Sequence, residues 1–151
     1  HSQKTMSEIN QAHPDVRAVI SVNKGLVTQA SAAIPVVPLY FAILYKVMKK
    51  AGTHENCIQQ IARLFTKKLY TPTGFQTDEN GFIRMDDYEL TPEVQEEVKK
   101  CWNAVTTDTV NEYCDIDGYW EDFYHMFGFH YEDIDYTQDV DADVEIDGIV
   151  M

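Results

Sequence analysis

The chain changes from strand chemistry to helix chemistry over a short stretch, and this change constrains the fold more than any other feature. Residues 16–22 read Val-Arg-Ala-Val-Ile-Ser-Val. Such a β-branched and mostly apolar run is typical of a parallel strand covered on both faces. Farther along, Pro35 and Pro38 suit the first turn of a helix. We therefore predict an α/β fold in which a sheet-strand unit occupies residues 16–28 and helices follow it.

The junction between strand and helix is also where a ligand site is expected. In open α/β sheets, ligands bind beyond the carboxyl ends of the strands, where backbone groups are left unpaired. Leu26, Val27 and Thr28 lie at this point of the chain. Their position makes them candidates for a binding site, and the alternative is a strand end that only packs against its neighbours.

Four short segments after the strand form a distinctive series. They read Leu-Val-Thr-Gln-Ala-Ser, Ile-Pro-Val-Val-Pro-Leu-Tyr, Tyr-Lys-Val-Met-Lys and Gly-Thr-His-Glu-x-Cys-Ile. In these segments the chain resembles the trans-2-enoyl-CoA reductases and the related FabV-type enoyl-acyl carrier protein reductases. A looser similarity continues through Asn80-Gly81, Asp117-Gly118-Tyr119, Met126-Phe127-Gly128-Phe129 and Asp135-Tyr136. The resemblance therefore covers most of the chain.

The resemblance implies that the chain is the C-terminal part of a larger Rossmann-like, short-chain-dehydrogenase-type fold. Members of the family are longer and carry a dinucleotide-binding loop and a catalytic Tyr-x8-Lys pair upstream of this region. The seven glycines of this chain never form a Gly-x-Gly pair, so a phosphate-cradling loop is not expected here. The resemblance thus assigns no catalytic residue to this chain, and we expect the chain alone to be inactive.

The resemblance also implies a cofactor and its contacts. In the family the Leu-Val-Thr triplet contacts NAD, so Leu26, Val27 and Thr28 are expected to bind it through backbone groups and the Thr28 hydroxyl. Gln29 and Ser31 are candidates for facing the acyl thioester. The intact enzyme would reduce the trans-2 double bond of enoyl-CoA or enoyl-acyl carrier protein with NADH, in fatty acid synthesis. The motifs leave the choice between these two substrates open.

The rest of the chain is predicted to be mostly helical, with one small hairpin. The Asn80-Gly81 pair tolerates the positive φ angles of a tight turn, which favours a hairpin over residues 75–90. A single parallel-type strand forms no sheet, so its neighbours are expected from upstream polypeptide or a partner chain. The full division is the strand unit 16–28, substrate-side helices 34–70, the hairpin 75–90, a helical region 91–130 and an acidic tail 131–151.

Each predicted helix has a local signal. The first, over 35–50, is apolar on nearly every face and should be buried, with Gly52 at its end. Thr53 is expected to cap a second helix, Thr91-Pro92 to start a third, and a fourth to cover 118–127. The second helix carries an apolar stripe that should face inward, made of Ile58, Ile61, Ala62, Phe65 and Leu69.

The charge and the cysteines limit the partners. The net charge of −13 argues against nucleic acids and anionic membranes, which require clustered Lys and Arg. Three cysteines without a Cys-x-x-Cys pair fit a reducing compartment. The longest apolar segment, 32–45, is shorter than the roughly 20 residues that span a bilayer. We expect a cytoplasmic protein, and the family resemblance implies that it is a monomer when complete.

Other motifs favour structural interpretations. Tyr40 and Tyr45 stand at dehydrogenase-like spacings from Lys49, but both lie in an apolar helix and are predicted to pack in the core. His54-x-x-Cys57, and His125 with His130, lack the further ligands of a metal site.

Two functions of other classes stay open. The chain could be a non-catalytic helical module that binds a partner through its apolar helix and its acidic tail. Alternatively, the tail could bind calcium through Asp139-x-Asp141-x-Asp143, although Val144 stands where a calcium loop requires glycine.

Overall fold

Two short strands that are far apart in the sequence form a parallel sheet. The computed structural model describes residues 1–140, and in it strand β1 (Ile20–Val22) pairs with strand β2 (Phe82–Arg84). The register places Ile20 opposite Phe82 and Val22 opposite Arg84. β1 therefore finds a neighbour within this chain, and the expectation that this neighbour comes from upstream polypeptide or a partner chain is wrong for this pair.

The hairpin predicted over residues 75–90 does not form. The turn itself exists, since the Asp78 carboxylate accepts hydrogen bonds from the backbone N–H groups of Asn80 and Phe82, both at 2.9 Å. Its upstream arm forms no strand because another turn comes just before it, in which the Gly74 N–H donates to the Thr71 carbonyl at 3.0 Å. β2 pairs with β1 instead, and this pairing buries Ile83.

Helix α1 (Ser2–Ala12) precedes β1 and was not predicted. The Asn10 side chain holds the backbone of Ala18: its Oδ1 accepts from the N–H at 2.7 Å and its Nδ2 donates to the carbonyl at 2.9 Å. These bonds use the backbone groups that a longer strand would pair. β1 consequently covers only part of the predicted strand unit 16–28.

The chain is otherwise helical, as predicted. The remaining elements are α2 (Gln29–Ala33), α3 (Val37–Ala51), α4 (Cys57–Arg63) with a π-helix (Leu64–Leu69) after it, α5 (Pro92–Ala104), α6 (Val110–Tyr113) and α7 (Ile116–His125). None of the helices within residues 1–140 is long and apolar enough to cross a membrane. The predicted acidic tail lies largely outside the described residues, including Asp141 and Asp143 of the calcium hypothesis.

Helix α3 forms the centre of the core, as its apolar sequence predicts. It packs against α5 and α7, and its buried residues are Phe41, Ala42, Ile43, Leu44, Tyr45, Val47 and Met48. Gly52 ends the helix in the left-handed conformation with φ of 70°. The Thr53 N–H then donates to the Met48 carbonyl at 2.9 Å, which completes a Schellman-type stop.

Helix α4 departs from the prediction in two ways. Its cap is Asn56, not Thr53, because the Asn56 Oδ1 accepts from the Gln59 N–H and the Gln59 side chain accepts from the Asn56 N–H in return. The apolar stripe does not face inward. Ile58, Ile61 and Phe65 are 57%, 50% and 44% exposed.

Candidate functional site

The predicted site residues lie where expected, between β1 and α2. Thr28 caps α2: its Oγ1 accepts from the Ser31 N–H at 3.0 Å, and the Ser31 Oγ accepts from the Thr28 N–H at 2.7 Å. The Ser31 hydroxyl is thus bonded inside this turn. Thr28 itself is exposed, Leu26 is half-buried and Val27 is buried.

Tyr45 of α3 supports this segment from the core. The Val27 N–H donates to the Tyr45 Oη at 2.8 Å, and both residues are buried. Burial raises the pKa of the Tyr45 hydroxyl above its ordinary value, so the group stays protonated. Lys49 forms an ion pair with Asp115 at 2.6 Å. Tyr45 therefore packs in the core, as predicted.

Lys24, which directly precedes residues 25–28, is buried and charged, and the sequence analysis did not predict a role for it. It is 3% exposed, and its Nζ donates to the Gly25 carbonyl at 3.1 Å and lies 4.7 Å from the centre of the Tyr45 ring. Burial lowers the pKa of its ammonium group from 10.5 to about 8, against the opposing effect of nearby carboxylates that include Asp122. The available signal was a lysine two residues after an apolar strand.

Glu89 holds the same segment from the β2 side. One carboxylate oxygen accepts from the Gly25 N–H at 2.5 Å and the other accepts from the Tyr40 Oη at 2.7 Å. Burial, and then the bond to Glu89, raise the pKa of Tyr40 to about 12. Glu89 is buried, and no local motif in the sequence marked it.

Few backbone groups of residues 25–28 remain without a partner. The N–H groups of Gly25, Val27 and Thr28 all donate to side chains, and the Leu26 carbonyl accepts from the Ser31 Oγ at 3.3 Å. Within residues 1–140, the Leu26 N–H and the Val27 carbonyl make no hydrogen bond. One donor and one acceptor of these residues are therefore left without a partner in the described part of the chain.

A groove next to the segment supplies space for a ligand. Its volume is about 390 Å³, and it is lined by Thr28, Gln29 and Ala30 on one side and by Met126 and Phe127 on the other. Gln29 thus lines the same groove as the apolar side chains of Met126 and Phe127. A separate apolar cavity of about 200 Å³ lies between α3 and α7 and includes Leu39, Ala42 and Trp120.

Three of the five histidines, His54, His125 and His130, lie beside a carboxylate. The His54 Nε2 lies 3.1 Å from the Asp122 Oδ2, and the His54 ring meets the Tyr45 ring edge-on with centres 4.4 Å apart. In the described part of the chain, no three His, Cys, Asp or Glu side chains come together as a metal site. His54 thus belongs to the packing around Tyr45.

The fold is that of an α/β protein segment, and its candidate site lies at the carboxyl end of a parallel strand. Two family models match the chain: "Trans-2-enoyl-CoA reductase catalytic region" over residues 1–70 and "Enoyl reductase FAD binding domain" over residues 77–140.

Individual relatives agree with the family models. The enoyl-[acyl-carrier-protein] reductase [NADH] of Flavobacterium psychrophilum is 45% identical over 99% of this chain. The trans-2-enoyl-CoA reductase [NADH] of Ruminiclostridium cellulolyticum is 50% identical over 88% of this chain. The crystal structure of the Treponema denticola trans-2-enoyl-CoA reductase in complex with NAD superposes with a TM-score of 0.82 and 46% identity over 91% of this chain.

The chain belongs to the trans-2-enoyl-CoA reductase and FabV-type enoyl-acyl carrier protein reductase family, and it represents part of such a protein. It spans 38% of the Flavobacterium relative, 33% of the Ruminiclostridium relative and 35% of the Treponema chain. The predicted fold class is confirmed in its main features, since a mostly helical segment with a parallel sheet matches part of a Rossmann-like reductase.

Proposed function

We propose that the complete protein is an NADH-dependent reductase of the trans-2 double bond in enoyl thioesters, and that Leu26, Val27 and Thr28 contact the nicotinamide. The observation that carries this proposal is the 46% identity and TM-score of 0.82 to a trans-2-enoyl-CoA reductase solved with NAD. The position of the triplet at the carboxyl end of β1 supports it independently of the relatives.

The chemistry of the reaction requires the nicotinamide ring to be held over the β-carbon of the thioester. NADH supplies a hydride to that carbon, and a proton donor outside this chain completes the reduction. The Leu26 N–H and the Val27 carbonyl suit the oxygen and the amino group of the nicotinamide carboxamide. Holding the ring in one orientation lowers the entropic part of the barrier.

The groove beside Thr28 is proposed to receive the acyl end of the substrate. Met126 and Phe127 offer apolar contacts on one wall, and Gln29 offers a polar side chain on the other. Such a mostly apolar cleft with one or two polar groups is typical of a small-molecule site. Relatives named for enoyl-CoA and for enoyl-acyl carrier protein both match the chain. A comparison of the two substrates in one assay therefore has to show whether the acyl group is carried by coenzyme A or by acyl carrier protein.

The test uses the complete protein that contains this chain. Mixed with NADH and crotonyl-CoA, it is expected to oxidise NADH, and a parallel assay with crotonyl-acyl carrier protein ranks the two carriers by kcat/KM. The isolated 151-residue chain is expected to show no turnover. No turnover by the complete protein with either carrier would refute the proposal and favour a non-catalytic module. A flavin spectrum in the purified protein would favour the FAD of the second family model instead.

Two variants of Thr28 test the triplet. Thr28→Val removes the hydroxyl but keeps the shape, and it should raise the KM for NADH roughly three- to tenfold, the effect of one lost hydrogen bond. Thr28→Ser retains the hydroxyl, the cap of α2 and near-normal kinetics. Equal KM values for NADH in the two variants would contradict a contact through the hydroxyl.

A further inference from the structure

Tyr45 lies beneath the triplet and reaches it through a single atom. Its hydroxyl oxygen accepts the Val27 N–H at 2.8 Å, and no side chain other than Tyr45 pairs with that amide within residues 1–140. The bond joins residues that are 18 positions apart in sequence. Tyr45 therefore connects the rigid helix α3 to the segment proposed to contact the nicotinamide.

The ring of Tyr45 is held on several sides. Phe41 stacks on it with ring planes 5° apart and centres 6.2 Å apart, His54 meets it edge-on at 4.4 Å, and the Lys24 Nζ lies 4.7 Å from its centre. Tyr45 is also fully buried. Because the ring has no room to turn, the position of its hydroxyl is defined by α3 and its neighbours.

The hydroxyl in turn decides which backbone groups a ligand meets. With the Val27 N–H taken from the core side, the Leu26 N–H and the Val27 carbonyl are the groups of the triplet left without a partner within residues 1–140. Without the hydroxyl, the buried Val27 N–H would lack a partner, and the segment would shift to find one. The orientation of the triplet thus depends on Tyr45.

We propose that Tyr45 is a positioning residue, which holds Leu26–Thr28 in the conformation that receives the nicotinamide carboxamide. This inference rests on the proposed function. Tyr45 acts through Val27 and touches neither hydride donor nor acceptor. Its loss should therefore weaken the binding of NADH more than it slows the chemical step.

The experiment compares Tyr45→Phe with Tyr119→Phe in the complete protein. Tyr45→Phe is expected to raise the KM for NADH roughly three- to tenfold, with kcat and the KM for crotonyl-CoA nearly unchanged. Tyr119 is the matched control: it is buried, its ring centre lies 6.5 Å from that of Tyr45, and its hydroxyl has no partner within residues 1–140. Tyr119→Phe should leave all three constants unchanged.

A second measurement separates positioning from general stability. Hydrogen exchange of the peptide that contains residues 24–28 should become faster in Tyr45→Phe and stay unchanged in Tyr119→Phe. Equal KM values for NADH in the two variants, in an enzyme whose wild type is active, would overturn the inference and leave the proposed function intact. An inactive wild type would instead overturn the proposed function.

A gentler substitution covers the case in which Tyr45→Phe does not fold. Fluorotyrosine at position 45 keeps the size of the ring and weakens the hydroxyl oxygen as an acceptor. A KM for NADH that rises with fluorotyrosine at 45, but not at 119, supports the inference. The same KM at both positions overturns it.

Discussion

Residues 25–28 and the outer face of α4 with its π-helix differ in what this chain supplies to them. Most backbone groups of residues 25–28 receive hydrogen-bond partners, whereas the apolar side chains of the outer face stay partly exposed. Six of the eight backbone N–H and C=O groups of residues 25–28 have a partner within residues 1–140, and most of these partners are side-chain groups of Tyr45, Glu89 and Ser31. The outer face, made of Ile58, Ile61 and Phe65, stays half exposed although it is apolar. The difference indicates that groups of this chain hold the triplet, whereas we propose that the rest of the protein covers the outer face.

The largest expected effect concerns the core beneath the segment. Leu44 is fully buried in α3, so Leu44→Ala should lower the free energy of unfolding by about 2 to 5 kcal/mol through lost burial and a cavity. Urea unfolding of the complete protein measures it. A loss below about 1 kcal/mol would mean that α3 is not the core on which the segment rests.

The buried Lys24 should give the segment a pH-dependent stability. Its pKa of about 8 in the folded state lies below the ordinary 10.5, so the unfolded chain binds more protons between these values and stability rises with pH. The cost in stability of burying the charged ammonium group is complete below pH 8 and is gone above pH 10.5. It amounts to roughly 3 kcal/mol.

The comparison of wild type with Lys24→Met isolates this effect. Methionine has a side chain of similar length but no charge. The free energy of unfolding of the wild type should therefore rise, relative to that of Lys24→Met, as the pH rises from 8 to 10.5. Lys50→Met, at an exposed position of α3, serves as the control and should show no such trend. Parallel curves for wild type and Lys24→Met would contradict a charged, buried Lys24.

Loss of the Glu89 side chain should change the free energy of unfolding somewhat less than the changes at Leu44 and Lys24. Glu89→Ala removes the acceptor of both the Gly25 N–H and the Tyr40 hydroxyl, and we expect a loss of about 2 to 3 kcal/mol. Glu96→Ala, exposed on α5, is the control and should change stability by less than about 0.5 kcal/mol. Similar losses in the two variants would show that the carboxylate does not hold the segment.

The smallest expected effect tests the other half of the comparison. Ile61 is 50% exposed in this chain. If it were equally exposed in the complete protein, Ile61→Ala would change the free energy of unfolding by less than about 0.5 kcal/mol. We expect a loss of about 1 to 2 kcal/mol in the complete protein, because the outer face should be covered there. A value near zero would leave the outer face free, as a partner-binding module requires.

Much of the local structure was predictable because its signals lie within a few residues. The apolar run of α3, the glycine stop at Gly52 and the proline start at Pro92 all gave elements close to the predicted bounds. The cap of α4 was misplaced because Thr53 and Asn56 both suit a cap. Only Asn56 has Gln59 at the position that returns its hydrogen bond.

By itself the sequence determined the helices α3, α4, α5 and α7, the strand β1, the position of the triplet after it and the family. The tertiary structure alone decided that β2 pairs with β1 in parallel, that Tyr45 holds Val27 and that Glu89 reaches Gly25 from 64 positions away. The physical reason is range. Caps, stops and periodicity act within one or two helical turns, whereas strand pairing and buried hydrogen bonds depend on which groups meet after the chain has closed.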